Sequence, residues 1–252
     1  MMSILSISGI TKHFGGITVL DGIDMDIEEG KLSQLIGPNG SGKTTLINII
    51  SGLLKPDNGK IIFDGDDITQ KGLLDTYKTG LVRTWQIPQP FNTLTTMENF
   101  MISSSGNAGE SFLLAPLKSK WENDEKRISD KAMEIMDMVN LVEQKDTPSQ
   151  NLSGGQQKLL ELGRAMMSGA SMILMDEPIA GVNPTLAHEI FEKISSLCKK
   201  QKITFLIVEH RLDIALQYAD HVFAMNRGKI IAQGNSDDVI KHPKVVESYL
   251  GK

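Results

Sequence analysis

Gly37-Pro38-Asn39-Gly40-Ser41-Gly42-Lys43-Thr44-Thr45 is the stretch that decides how this chain is read. It fits the pattern G-x-x-x-x-G-K-[ST], and its setting is the one that pattern needs. The strand KLSQLIG runs into it, and a helix leaves it with Leu46, Ile49, Ile50 and Leu53 at three-and-four spacing. The residue types follow from the job. Glycines let backbone N–H groups turn inward around phosphates, and a helix starting near Lys43 points its positive dipole end at them. Lys43 is placed to reach the outer phosphates, and the Thr44 hydroxyl to ligate Mg2+. A chance glycine turn does not account for the strand before and the helix after.

A phosphate site also needs an acid for the metal. The apolar strand Met172–Met175 ends in Asp176-Glu177. The runs MILM and TFLIV are continuously apolar, as parallel strands covered on both faces should be. A carboxylate at the carboxyl end of such a strand lies near the ligand crevice. Alone, this ending is equally well a solvated turn; beside a phosphate loop it becomes a site. Asp176 is then expected to hold Mg2+, directly or through water, and Glu177 to orient and deprotonate an attacking water.

Outward from these motifs, residues 3–8 and 17–28 alternate as half-buried antiparallel strands. Residues 87–125 show weak periodicity. Residues 125–143 read as an amphipathic helix with Ile128, Ala132, Ile135, Val139 and Val142 on one face, and a further helix runs over about 154–168. The last third returns to α/β alternation, through SMILMDE, ITFLIVEH, HVFAMN and KIIAQG. The expected fold is α/β: a P-loop NTPase core with a mixed, mainly parallel sheet, an N-terminal antiparallel β subdomain and an inserted helical subdomain. Residues 1–252 form one nucleotide-binding domain, with the core over about 1–86 and 161–252 and the helical part over about 87–160.

Composition sets limits on partners. The chain has 252 residues, 40% hydrophobic and 23% charged, with a formal net charge of -5. That gives no electrostatic reason to expect a nucleic-acid partner. Cys198, the one cysteine, cannot form an internal disulfide and reads as packing. No signal peptide is expected from MMSILSISGITKHF, and no stretch approaches the ~18 apolar residues of a membrane helix.

Leu152-Ser153-Gly154-Gly155-Gln156 precedes a helix and stands some twenty residues ahead of Asp176-Glu177. In that setting LSGGQ resembles the signature of ABC transporter ATPases. Ser153 can cap the following helix, and the two glycines expose N–H groups at its positive end. The resemblance implies that Ser153, Gly154, Gly155 and Gln156 bind the γ-phosphate of ATP held by a second ATPase subunit, so two head-to-tail ATPases share two sites. It assigns Phe14 to stacking on adenine, against a rival reading as a core phenylalanine. Gln86, in Arg83-Thr84-Trp85-Gln86, matches the glutamine that senses metal and water, with Gln89 a nearby competitor. Ala180 to Pro184 sits where the dimer-crossing loop belongs, and His210, after ITFLIVE, matches the switch histidine that meets the γ-phosphate and the water.

The segments RTWQ, IPQPF, Ala180-Gly181-Val182-Asn183-Pro184 and the tail KIIAQG resemble the ATPases of branched-chain amino acid importers, the archaeal-type member in particular. The implied role is a Mg-ATP-driven subunit on the cytoplasmic side of the membrane, peripheral, touching membrane-spanning permease subunits and never the transported solute. The implied dimer is homo- or heteromeric. Urea or amide importers share much of this pattern. A soluble, non-transport ABC ATPase is the rival from another class, but it usually carries a coiled-coil insertion or two cassettes, and this chain has neither. Gly163 replaces the alanine common in the signature helix, at a cost of about 1 kcal/mol in helix propensity, which close packing would explain.

Overall fold

A computed structural model of the protein describes residues 3–85, 89–104 and 118–250. Two long strands open it, β1 (Ser3–Phe14) and β2 (Ile17–Glu28), joined across Gly15-Gly16. The strand expected over residues 3–8 continues to Phe14, with shifts of register after Ile7 that break the alternation. Strands β4 (Asn58–Phe63) and β5 (Asp66–Asp67) complete an antiparallel sheet of order β2-β1-β4-β5.

The central sheet is built from β3 (Leu32–Ile36), β6 (Leu81–Arg83), β7 (Met172–Asp176), β8 (Thr204–Val208), β9 (His221–Asn226) and β10 (Lys229–Gly234). Its order is β10-β9-β3-β8-β7-β6, parallel throughout except for β10. Strand β8 is buried at every position and β7 at all but its last, Asp176, which is why they read as apolar runs without alternation. One face carries Leu35, Leu174, Leu206, Val208 and Phe223 into a core shared with β1, β2 and helix α1 (Lys43–Ile50). The other carries Ile36, Val222 and Ala224 against Val239 and Val245, from α8 (Ser236–Lys241) and α9 (Pro243–Leu250). The helix after the phosphate loop is shorter than its spacing suggests: it ends at Ile50, and Leu53 lies beyond it with 45% of its surface exposed. Between β8 and β9 the chain makes a single helical turn, α7 (Leu212–Ala215).

These parts belong to one compact unit, residues 1–83, 171–180 and 187–252. A second unit comprises residues 84–170 and 181–186. The expected boundary near residue 160 falls inside helix α5 (Gly154–Met167), which belongs whole to the second unit. There α5 packs with α3 (Thr96–Met101) and α4 (Lys118–Met138) around Phe100, Ile135, Val139 and Leu160. Of the apolar face expected over 125–143, Ile128, Ala132, Ile135 and Val139 are buried. Val142 is only partly buried, because the helix has ended and a 3-10 turn, Val142–Gln144, has begun.

Gly163 confirms its packing role. A Cβ there would meet the Phe100 ring at 2.4 Å, and Phe100 is fully buried. Asn99, also fully buried, donates to the carbonyls of Phe91, Leu94 and Thr95 and accepts from the Phe91 amide, so one amide side chain folds the loop before α3. Among the described residues no helix is long and apolar enough to cross a membrane.

Candidate active site

An open cleft of about 520 Å3 lies in the first unit, lined by Val19, Asn39, Gly40, Ser41, Gly42, Lys43, Thr44, Thr45, Asp176, Glu177, Val208 and His210. Three strand ends deliver these groups. The chain leaves β3 at Ile36 into the glycine loop, β7 at Asp176 and β8 at Val208, and all three strands run parallel, so their carboxyl ends meet. Gly37 makes the tight exit from β3: its φ is 151°, and a Cβ would meet the Met225 carbonyl oxygen at 2.1 Å.

Helix α1 begins at Gly42 with no side-chain cap and no acidic residue in its first turn. Its leading N–H groups are thus left for an anion. Lys43 is 6% exposed and donates to the carbonyls of Gly37 (2.7 Å) and Pro38 (3.0 Å). Gly37 and Pro38 thereby hold the ammonium rather than lining the cleft. Burial lowers the Lys43 pKa, with Asp176 and Glu177 opposing. The Ser41 Oγ is buried without a hydrogen-bond partner.

Asp176 ends its strand with its carboxyl pushed up by burial, an effect opposed chiefly by the Arg83 guanidinium. Arg83 Nη2 lies 3.5 Å from Asp176 Oδ2, and its Nη1 donates to Asn48 Oδ1 of α1. This arginine, noted in sequence only as part of RTWQ, ties the end of β6 to Asp176 and to the helix after the glycine loop. Glu177 sits in a left-handed backbone conformation, φ 51°, which costs a non-glycine residue about 1 kcal/mol or more. Its N–H donates to Val208 O at 2.8 Å, and its carbonyl accepts from Ala180. The conformation turns its carboxylate to His210, whose Nε2 is 3.1 Å from Glu177 Oε1.

The other candidate residues fall elsewhere. Phe14 ends β1 with 46% of its surface exposed and Lys12 Nζ 5.6 Å from its ring centroid, so it is no core residue. It does not line the cleft. Gln86 lies outside the described residues. Gln89, its competitor, belongs to the second unit, where its N–H faces Glu161 Oε1 at 3.4 Å and its carbonyl accepts from Arg164 Nη1 at 3.1 Å. The backbone at Gln89 is thus fastened to α5.

The signature residues form the start of that helix. Ser153 Oγ accepts from the Gln156 N–H at 3.3 Å, while Gln156 Oε1 accepts from the Ser153 N–H at 2.9 Å, a reciprocal capping box. The two glycines differ. A Cβ on Gly154 would meet nothing within 4 Å, but one on Gly155 would stand 2.0 Å from Leu186 Cδ2. A side chain on Gly155 would have to displace the end of Leu186, whereas Gly154 leaves open surface. Asn183 accepts from the Leu186 N–H and so starts α6 (Pro184–Gln201), with Pro184 at its first position. Cys198 is buried and its thiol is pushed up to about 12, chiefly by burial, which suits packing rather than chemistry.

Residues 20–180 match the ABC transporter family. The chain belongs to it. Relatives cover nearly the whole of this ABC ATPase. The probable branched-chain amino acid transport ATP-binding protein LivG of Methanocaldococcus jannaschii is 47% identical, across 100% of this chain and 98% of its own length. The Archaeoglobus fulgidus protein of the same name is 46% identical, across 99% and 96%. The Pseudomonas aeruginosa protein BraF, named a high-affinity branched-chain amino acid transport ATP-binding protein, is 32% identical across 99% and 98%. Among solved structures, a nucleotide-free ATP-binding cassette from an ABC transporter superposes with a TM-score of 0.85 at 46% identity, covering 100% of both chains. The ABC cassette described here binds and hydrolyses ATP.

Proposed function

We propose that this cassette powers a branched-chain amino acid importer. The observation that carries the chemical half of this reading is the convergence of Lys43, Asp176, Glu177 and His210 on one cleft, with Glu177 and His210 3.1 Å apart. Bound ATP would lay its phosphates on the amides of the Gly40–Thr45 turn and the open end of α1, drawing the Lys43 ammonium off the Gly37 and Pro38 carbonyls. The donor set suits Mg2+: the Thr44 hydroxyl and the Asp176 carboxylate are hard oxygen ligands beside the phosphates, with Gln86 a third candidate. Mg2+ there would neutralise charge on the β- and γ-phosphates. Glu177 takes the proton of the attacking water, and His210 holds the Glu177 carboxylate in line while its ring faces the γ-phosphate. Such chemistry is positioning and charge neutralisation.

The remaining half of the site comes from a second ATPase subunit. Its Ser153 hydroxyl, already an acceptor within its own cap, still has a proton to donate to a γ-phosphate, and its Gly154 leaves room for one. Closure of two subunits over two ATP molecules moves the segment around Gln86 and, through it, a permease subunit at the cytoplasmic face of the membrane. The solute itself stays with the permease and is taken as a branched-chain amino acid from the names of relatives that this chain matches end to end. Glu177→Gln tests the chemistry. Hydrolysis should fall about 100-fold or more in a phosphate-release assay while ATP affinity is kept; wild-type turnover would remove Glu177 from the mechanism.

A further inference from the structure

Glu209 lies between the apolar strand TFLIV and His210, and nothing in the mechanism above uses it. It is 3% exposed, and no ion pair involves it among the described residues. A buried carboxylate is costly unless its lone pairs are met. Here they are met entirely by main chain. Glu209 Oε1 accepts from the Ile179 N–H at 2.8 Å, and Oε2 accepts from the His210 N–H at 3.0 Å and the Arg211 N–H at 3.5 Å. Burial pushes the carboxyl up and these three amides oppose it.

The place of these bonds gives them meaning. The ladder between β7 and β8 pairs Asp176 with Val208 and closes with the Glu177 N–H on Val208 O. Beyond that point the two chains part. One carries Glu177 and then Ile179; the other carries His210. The Glu209 side chain spans that gap, with one oxygen on each loop. We propose that Glu209 is a positioning residue for hydrolysis: its carboxylate clamps the loop bearing Glu177 to the loop bearing His210 and so fixes the 3.1 Å approach of the two side chains. The inference rests on the assignment of Glu177 and His210 to hydrolysis. It also explains how Glu177 keeps a left-handed backbone, since the amide two residues on is tied to the neighbouring loop.

The test compares Glu209→Gln, Glu209→Thr and Glu177→Gln in ATPase assays, with thermal melting and ATP titration on each. Gln keeps the shape but sets an N–H2 group against one of the amide donors; Thr keeps a hydroxyl near its own chain but is too short for Ile179. A clamp predicts kcat about tenfold lower or more in both, with KM for ATP and the melting midpoint near wild type. It also predicts faster amide hydrogen exchange at Ile179 and His210. Wild-type kcat in either folded variant overturns the proposal. So does a loss of kcat matched by equal losses of ATP affinity and melting temperature, which marks a merely structural carboxylate. If Glu177→Gln itself hydrolyses at the wild-type rate, the underlying assignment falls instead.

Discussion

Two helix N-termini in this molecule are each expected to meet a phosphate, and they are built in opposite ways. Helix α1 starts bare: a glycine at its cap, no side chain on its amides, no acid in its first turn. Helix α5 starts closed on itself, with Ser153 and Gln156 satisfying each other's amides. Around α1 stand a buried lysine, a half-buried aspartate and a glutamate in a left-handed backbone. Against the start of α5 stands an apolar side chain, Leu186 beside Gly155. An uncapped terminus with a stored ammonium can bind an anion alone. A capped terminus offers one hydroxyl proton and two glycine amides, enough to recognise a phosphate that something else already holds. The difference divides binding from recognition, and it is what a shared site between two subunits requires.

That contrast can be broken at its strong end first. Lys43→Ala removes the stored ammonium, and loss of a charge-assisted bond of about 1.5–3 kcal/mol should weaken ATP binding roughly 10- to 100-fold. Titration with a fluorescent ATP analogue would measure it, and the melting temperature should not fall. Unchanged affinity would mean that the amides of α1 suffice.

In the second unit the corresponding prediction concerns stability. Gly163→Ala gains about 1 kcal/mol of helix propensity but drives a methyl into the Phe100 ring, and overpacking costs about 1–3 kcal/mol. We expect a net loss of about 1 kcal/mol in urea unfolding, with ATP affinity unaltered; a stabilised variant would show that Phe100 has room to yield.

A change of similar size and opposite sign is expected beneath the phosphate loop itself. Gln34 is fully buried in β3, on the face of Ile36, and neither of its amide atoms has a partner. Gln34→Leu should stabilise the protein by about 1 kcal/mol, since the desolvation of an unmet amide is relieved. A lower urea midpoint would show that the amide is satisfied after all.

What the sequence made legible was whatever one segment could declare by itself. The phosphate loop, the strand ending in Asp176-Glu177 and the LSGGQ helix start each carry their geometry in adjacent residues. Short elements escaped: β6 is three residues long, and α2 (Leu73–Lys78) and α3 are six each, too brief for periodicity to register. Partnerships between distant segments escaped too. Arg83 reaches Asp176 across 93 residues, and Glu209 reaches Ile179 across 30. A charged residue at the end of an apolar strand was the available signal for Glu209, and it was overshadowed by the histidine after it.

The central claim is that the cleft is half of a site completed by another subunit's signature. Glu177→Gln, which should bind ATP without consuming it, tests this by gel filtration with and without ATP, alone and mixed with a companion ATPase subunit of the same transporter. The account predicts an ATP-dependent shift from monomer to dimer in at least one of these samples. Monomer in both, with ATP bound, would contradict it.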